Sequence, residues 1–465
     1  MRFKAFLPRF PTFLFVVVSA SLASAGGLRL SSFIDSVLQR QPRLSEDSLD
    51  ITKAEGRVSQ LYREAILPKF ELTTAFGPAP GFKYNTTDRL NSHGEVVGID
   101  STREYEWWPM GPYFGTEVSV AQPLNVDRFR AGLRAAHASV RVARARFEGH
   151  RQGEVKEALT YWFGFQYANR MLSILRDAQK RIDSVQAVLQ KKIDDEEEGA
   201  NLEDLLNLKI GRFTLEKGLS DAELGRDRAR AALLFFLGKK SDQSLVLEDS
   251  LLAPLPELPG LDTLLERFQH PDLAQLEAGL AATKAMIEVE RGELGPDIFV
   301  FAKFSYTKAW VANRDEQNRD VLVTDPINTI SGALGLGVRW QLNYWAQQTS
   351  VRRAELDWRV LKRKELYARD GLELYMKDSW LRYKALGDKI AGVKRAIESC
   401  EALLESVAAA MDLDPDRAKD LIGPYKNWID LKGQYYDLVH QRNLAAVEVL
   451  HNAGLATHSE YLTRP

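Results

Sequence analysis

Ile66-Leu67-Pro68-Lys69-Phe70-Glu71-Leu72-Thr73-Thr74-Ala75-Phe76 decides how this chain is read. A helical run stops at the proline, and from Lys69 the apolar period falls to two, with Phe70, Leu72, Thr74 and Phe76 facing one way. The chain then writes the same step again. Leu294-Gly295-Pro296-Asp297 closes a second helical run and opens a second alternating segment.

Working outward, the whole stretch from Phe33 to Ala136 recurs from Leu264 to Ala354. Gln41-Pro42-Arg43-Leu44 matches His270-Pro271-Asp272-Leu273, at an offset of 229. Pro68 matches Pro296 at 228, and Leu124-Asn125 matches Leu342-Asn343 at 218. The offset holds along the helix and drops by ten between the strands, where loops tolerate insertion. An internal duplication follows, so the 465 residues form one architecture of two halves.

The totals narrow the function classes. A net charge of −2 gives no reason to expect nucleic acid. The single cysteine, Cys400, excludes an intrachain disulfide and a cysteine-based zinc site, and no cofactor or metal is expected. Arg2, Lys4 and Arg9 precede an apolar run from Phe13 to Val18 and then Ala23-Ser24-Ala25, which reads as a secretory signal peptide cleaved after Ala25. That run is shorter than the ~18 to 20 residues of a spanning helix. With no apolar segment of spanning length in the mature chain, entry into lipid requires strands closed into a barrel.

Helical spacing joins Phe33, Val37 and Leu38 before Pro42, and Leu49, Ile51, Ala54, Val58, Leu61 and Ala65 after it. The return strand alternates Phe114, Thr116, Val118 and Val120 with Gly115, Glu117, Ser119 and Ala121, and Pro123 follows where the ladder must break. Residues 77–112, rich in Gly, Pro, Asn, Asp and Ser, read as a long exposed loop, interrupting the first strand after about eight residues at Gly77-Pro78-Ala79-Pro80-Gly81, so that either the strand resumes at Phe82 or the barrel rim is irregular there. Trp107-Trp108 near its end fits either a membrane-interface girdle or a cluster packed under the loop.

No proline occurs between Pro123 and Pro254, so a helix can run from Val126 to Asp194, and at ~1.5 Å per residue it is roughly 100 Å long. Helices Leu30–Ile66 and Asn201–Gly238 together nearly match it and are expected to stack end to end beside it. Seam positions Val351, Ala354, Trp358, Leu361, Ala368, Leu372 and Tyr375 are violated only by Glu365. The predicted organisation is a leader 1–25 and a first repeat 26–240, with strands at about 69–84 and 113–122 and a helical hairpin 126–238. A connector 241–260 follows, which reads as polar, then proline-rich. The second repeat 261–454 has a helix 261–295, strands at about 297–310 and 330–342 and a hairpin 347–454, before a tail 455–465.

In this order and duplication the residues resemble the TolC-like outer-membrane efflux proteins. The likeness covers nearly the whole mature chain. It rests on the duplicated Pro-x-Leu helix ending in Leu-Pro or Gly-Pro and on Ala121-Gln122-Pro123-Leu124 leading into an Ala/Arg-rich helix. It also rests on the breaks Gly199 to Asp204 and Asp414 to Asp420, each followed by a helix ending at Gly238 or Gly454. The resemblance implies a mainly α fold with a small β portion, a duplicated helix, β-hairpin and long helical hairpin. It also implies a homotrimer with a 12-stranded outer-membrane barrel continued by a periplasmic helical tunnel. The implied partners are a periplasmic adaptor, an inner-membrane pump and outer-membrane lipid. Four strands cannot close a barrel alone, so several copies are required if the strands sit in lipid.

No Ser/His/Asp set, glycine-rich phosphate loop or HExxH helix appears, so no enzyme is expected. His440 and His451 share one helical face, as surface or packing residues. The acidic run Asp194, Asp195, Glu196, Glu197 and Glu198 is either a tunnel mouth or adaptor-docking tip that concentrates negative potential, or a solvated helix end. Asp412, Asp414 and Asp416 at the second break carry the same pair of readings. Three functions compete: an efflux exit duct, the outer-membrane component of a type I protein secretion system, and a periplasmic coiled-coil scaffold without a channel.

Overall fold

A computed structural model of the chain describes residues 27–194, 202–240, 243–248, 252–268, 270–310, 328–413 and 422–462. The first repeat holds helices α1 (Leu30–Arg40) and α2 (Pro42–Ile66), strands β1 (Lys69–Leu90) and β2 (Val96–Pro123), and helices α3 (Val126–Asp194) and α4 (Leu202–Phe236). The second holds α5 (Leu261–Glu266), α6 (Pro271–Gly292), β3 (Asp297–Ala309), β4 (Thr329–Arg339), α7 (Tyr344–Leu413) and α8 (Ile422–Asn452). The signal-peptide reading at 1–25 lies outside the described residues. Among those described, no helix is long and apolar enough to cross a membrane.

Each helix boundary has a local cause. Pro42 and Pro271 both occupy the first helical turn, where a missing N–H costs nothing and φ is already set. Pro271 therefore splits the segment 261–295, which the sequence reading took as one helix. The His270 Nδ1 caps α6 by accepting the Asp272 N–H at 3.2 Å. At the far ends, Gly238 (φ 63°) and Gly454 (φ 75°) adopt the left-handed conformation. Lys239 then bonds back to the Leu234 carbonyl and Leu455 to that of Leu450, the same terminating motif in both repeats.

The two shorter helices do lie end to end along the rod. α2 follows the first half of α3 through Glu55–Arg144 and Asp47–His150, and α4 follows its second half through Glu223–Arg176 and Asp183–Arg212. Arg40 at the end of α1 donates to the Leu237 carbonyl just past α4, closing the joint. α6 and α8 repeat the plan on α7 through Arg291–Glu355, Arg369–Glu277, Lys432–Glu401 and Arg382–Glu448. The seam on α7 passes through Val351 and a buried Glu365, whose carboxylate takes the Lys362 ammonium. It then runs to Met376, not Tyr375, which is exposed, because helical drift over the preceding turns moves the buried stripe by one residue.

The main core sits at mid-length of the long helices. Phe33 and Val37 of α1 pack there with Leu159 and Trp162 of α3, Leu233 of α4, Met376 of α7 and Leu450 of α8. The connector joins them, with Leu247, Leu252 and Leu255 buried. Fully buried Asn443 accepts the Leu255 N–H and donates to the Ala253 carbonyl, each at 2.9 Å. Arg442 reaches the Leu255 carbonyl at 3.1 Å and the Tyr383 hydroxyl at 2.6 Å. Asn443→Leu strands two buried backbone groups at ~1 to 3 kcal/mol each. It should lower the thermal midpoint of the helical circular-dichroism signal and open residues 252–258 to limited proteolysis.

Candidate channel surfaces

The four strands form one antiparallel sheet in the order β1-β2-β3-β4, so β1 and β4 are its edges. Pairing aligns the alternations. Phe70 opposes Val120, Leu72 opposes Val118, and Val118 in turn opposes Phe304. Ala302 opposes Leu334 and Val300 opposes Leu336. These positions make one face continuously apolar, and nothing among the described residues covers it: Phe76 is 77% exposed and Leu334 81%. At 13 and 11 residues, β3 and β4 have the length of strands that cross a bilayer.

The opposite face is polar. Lys303 pairs with Glu117 at 2.8 Å, and Ser305 bonds Ser331 at 2.7 Å. Two phenylalanines interrupt it, for a reason visible in the backbone. The Phe299 ring lies on Gly337, where a Cβ would come within 2.5 Å of it, and Phe301 lies on Gly335 at 3.4 Å. The glycines of β4 admit rings that the alternating pattern alone did not signal; the spaced Gly332, Gly335 and Gly337 were the available clue.

Residues 77–112 do not form a loop. β1 and β2 continue past the end of β3 as a two-stranded ribbon turning at Asn91 to Glu95. Both prolines stay in the ladder, Pro78 opposite Pro112 and Pro80 opposite Met110, because β1 is an edge strand that needs no donor on its free side. The register then shifts: Gly81 opposes Glu106, so Trp107, Trp108 and Pro109 form the bulge. The side chains of Trp107 and Trp108 lie outside the described residues.

At the far end of the helices, Asp194 closes α3, exposed, with Gln190 donating to its carboxylate at 2.9 Å. Asp412 falls in the last turn of α7. Asp195, Glu196, Glu197, Glu198, Asp414 and Asp416 lie outside the described residues. Just inside this end, a cation and aromatic ladder ties α8 to α3 and α7. Arg181 sits over the Tyr425 ring at 4.9 Å, Trp428 donates to Glu401 at 2.9 Å, and Arg170 donates to the Tyr436 hydroxyl at 2.6 Å. The hydrogen bond from Trp428, then that from Lys432, holds the Glu401 carboxyl below its usual range.

The histidines are packing groups. His440 stacks on Tyr167 at 4.9 Å, and His451 meets His270 edge-on at 6.2 Å beside a cleft of about 270 Å³. Burial pushes all three below the ordinary imidazole value, and burial, with Lys156 and His270 nearby, takes His451 to about 4. The folded chain keeps His451 neutral while the unfolded chain protonates it near pH 6.5, so stability is full above that pH and falls as pH drops toward 4. Thermal midpoints recorded between those limits should fall with pH, and His451→Gln should flatten the slope.

No family model matches the sequence, and no curated protein is similar to it. Solved structures do match. The Neisseria gonorrhoeae MtrE outer membrane channel in its open state superposes with a TM-score of 0.70 at 14% identity, covering 94% of this chain and 91% of that one. The Campylobacter jejuni CmeC outer membrane channel gives 0.68 at 14%, over 91% and 85%. The Vibrio cholerae outer membrane protein VceC gives 0.67 at 15%, over 91% and 95%. Likeness of this depth along almost the full length, at such low identity, is likeness of fold: the chain folds as these outer membrane channels do, in agreement with the TolC-like resemblance read from its duplicated motifs.

Proposed function

We propose that this protein is the outer-membrane exit duct of a tripartite efflux system. Three copies contribute four strands each to a 12-stranded barrel, and their helices continue it as a periplasmic tunnel. The observation that carries this reading is the four-stranded sheet itself. It is apolar on one face, polar on the other, unpaired at both edges, and joined directly to helices roughly 100 Å long. An open edge is not tolerated in lipid, so closure has to come from further copies. A periplasmic scaffold has no use for strands of bilayer-crossing length with an uncovered apolar face.

The duct is passive. Energy comes from an inner-membrane pump, and a periplasmic adaptor joins the two. The exit of a type I protein secretion system is the second reading, and neighbouring genes separate the two: a proton-driven pump argues for small molecules, an ABC transporter beside a secreted substrate for proteins. Protein extracted from outer membranes in detergent should have the mass of a trimer and, in planar bilayers, conduct without added nucleotide. A stable monomer that inserts no conductance would overturn the reading.

Asp194, Asp195, Glu196, Glu197 and Glu198 are assigned to the tunnel mouth, with Asp412, Asp414 and Asp416 beside it. Three copies bring their carboxylates around one opening, where the field draws cations in. Replacing the five residues 194–198 with Asn or Gln should move the reversal potential under a salt gradient toward zero. The change should be largest at low salt, where screening is weakest. An unaltered reversal potential would assign the cluster to an outward-facing helix end.

A further inference from the structure

The duplication does more than describe the chain, because one interface between its repeats is already inside it. β1 pairs with β2 in the same register as β3 with β4: Lys69 opposes Ala121, and their counterparts 228 and 218 residues on, Asp297 and Arg339, oppose each other. The joints to the helices correspond too. Gln122 Nε2 donates to the Ala65 carbonyl at 2.6 Å, and its counterpart Trp340 donates through Nε1 to the Leu294 carbonyl at 3.1 Å. The two offsets therefore carry one strand pair onto the other, while at the joint the accepting carbonyl moves by one residue, since Ala65 corresponds to Glu293.

Between the repeats, β2 meets β3 with Ala121 opposite Phe301 and Pro123 opposite Phe299. At the end of this pairing Leu124 N–H donates to the Ile298 carbonyl at 2.8 Å, and Ile298 N–H donates to Asn125 Oδ1 at 3.0 Å. The same offsets move this whole arrangement onto β4 and β1, the two strands left as edges. Within one chain they cannot meet.

We infer that β4 of one copy pairs antiparallel with β1 of a second copy, with Arg339 opposite Thr73, Trp340 opposite Leu72 and Gln341 opposite Glu71. At the foot of that pairing, Asn343 Oδ1 accepts the Phe70 N–H of the second copy, as Asn125 does for Ile298 within the chain. This inference rests on the multimeric-barrel reading above and gives it a specific register.

An internal check supports the transfer. A register error of one residue would send every side chain to the wrong face. Here Trp340, Val338 and Leu336 of β4 come opposite Leu72, Thr74 and Phe76 on the apolar face of β1, and the ladder ends there, because Pro78, opposite Leu334, has no N–H to donate. The exposed Asn343 lines a small cleft with Gln341, open at the place the second copy enters.

Cysteine cross-linking of the full-length protein in membranes tests the register. In a Cys400→Ser background, Arg339→Cys is combined in turn with Glu71→Cys, Thr73→Cys or Ala75→Cys. All three partners lie on one face, and any loss from Arg339→Cys is common to the set. Transferred from β2 and β3, Arg339 and Thr73 form a non-hydrogen-bonded pair with Cα atoms ~4.5 Å apart, whereas the neighbours two residues away lie at ~7 to 8 Å, beyond disulfide reach. Disulfide-linked dimers and trimers should form on the order of tenfold faster with Thr73→Cys. Faster reaction at Glu71→Cys or Ala75→Cys overturns the register but leaves the multimeric barrel standing. No interchain product from a trimer overturns the pairing of β4 with β1, and no product from a protein of monomer mass overturns the proposed function as well. Asn343→Leu should also lower the temperature at which trimers dissociate in detergent, while Asn343→Asp, which keeps an acceptor, should restore it. Equal dissociation temperatures would remove Asn343 from the junction.

Discussion

Strands in a sheet lie ~4.8 Å apart, and packed helices ~8 to 10 Å, so a chain that passes from four strands into helices must spread to about twice the width at the joint. Everything around residues 122–128 and 293–297 answers that constraint. Pro123 and Pro296 break the ladder at the step, Asn125 bridges to the first residues of β3, and Arg128 reaches both Glu293 and Asp297. Gln122 and Trp340 bond helix-end carbonyls that have no partner of their own inside the helix. These contacts are partly exposed and individually modest. Their value is directional, since together they set the angle at which helices roughly 100 Å long leave a sheet only about a third as tall.

Far from the joint, stability is distributed unevenly for a geometric reason. A helix buries only the stripe that faces its neighbours, and α7 leaves Leu366, Tyr367 and Leu374 exposed on its other sides. Apolar burial concentrates where a third element is available, at mid-length, where α1, the connector and the tail add Phe33, Leu247, Leu255 and Leu462 to the helices. Toward the far end no such element exists among the described residues. There α8 is held to α3 by Arg181 over Tyr425 and Arg170 on Tyr436. Such contacts separate at lower cost than a core does, so this end is the part of the helical layer most readily rearranged.

Periodicity made the helices readable because proline and glycine punctuate them: Val126–Asp194 was evident from the absence of proline, and Gly238 and Gly454 from their position after the last apolar turn. The same cues failed where one residue had two uses. Pro78 and Pro80 signalled a loop yet sit in an edge strand, where a missing donor is harmless. His270-Pro271 signalled a helix start in one reading, but the short α5 before it was absorbed into a single long helix. The connector's burial could not be read from composition, since its leucines are spaced by proline and follow neither period. Of the candidate site, the helix end at Asp194 was within reach of the sequence, but the register of the sheet was not. Phe299 and Phe301 on the polar face were not, because their accommodation depends on glycines in the neighbouring strand.

The two repeats are equivalent in backbone and deliberately unequal in charge at the joint. Arg128 corresponds to Ala346 and Asp297 to Lys69, so the ion pair that joins repeat one to repeat two inside a chain has no copy between the counterpart positions. That asymmetry decides which halves can meet. Were a first repeat to dock on another first repeat through the same surface, Arg128 would face Lys69 and two cations would share one joint. Were a second repeat to dock on a second, Asp297 would face Ala346 and lose Arg128, keeping only Arg339 of its own repeat at 3.5 Å. Only alternation of first and second repeats keeps Arg128 against Asp297 and leaves Lys69 opposite an uncharged residue. The sheet order β1-β2-β3-β4 leaves only β4 and β1 free to meet, and the charges agree with that order: like-charge repulsion would oppose first on first, and loss of Arg128 would weaken second on second.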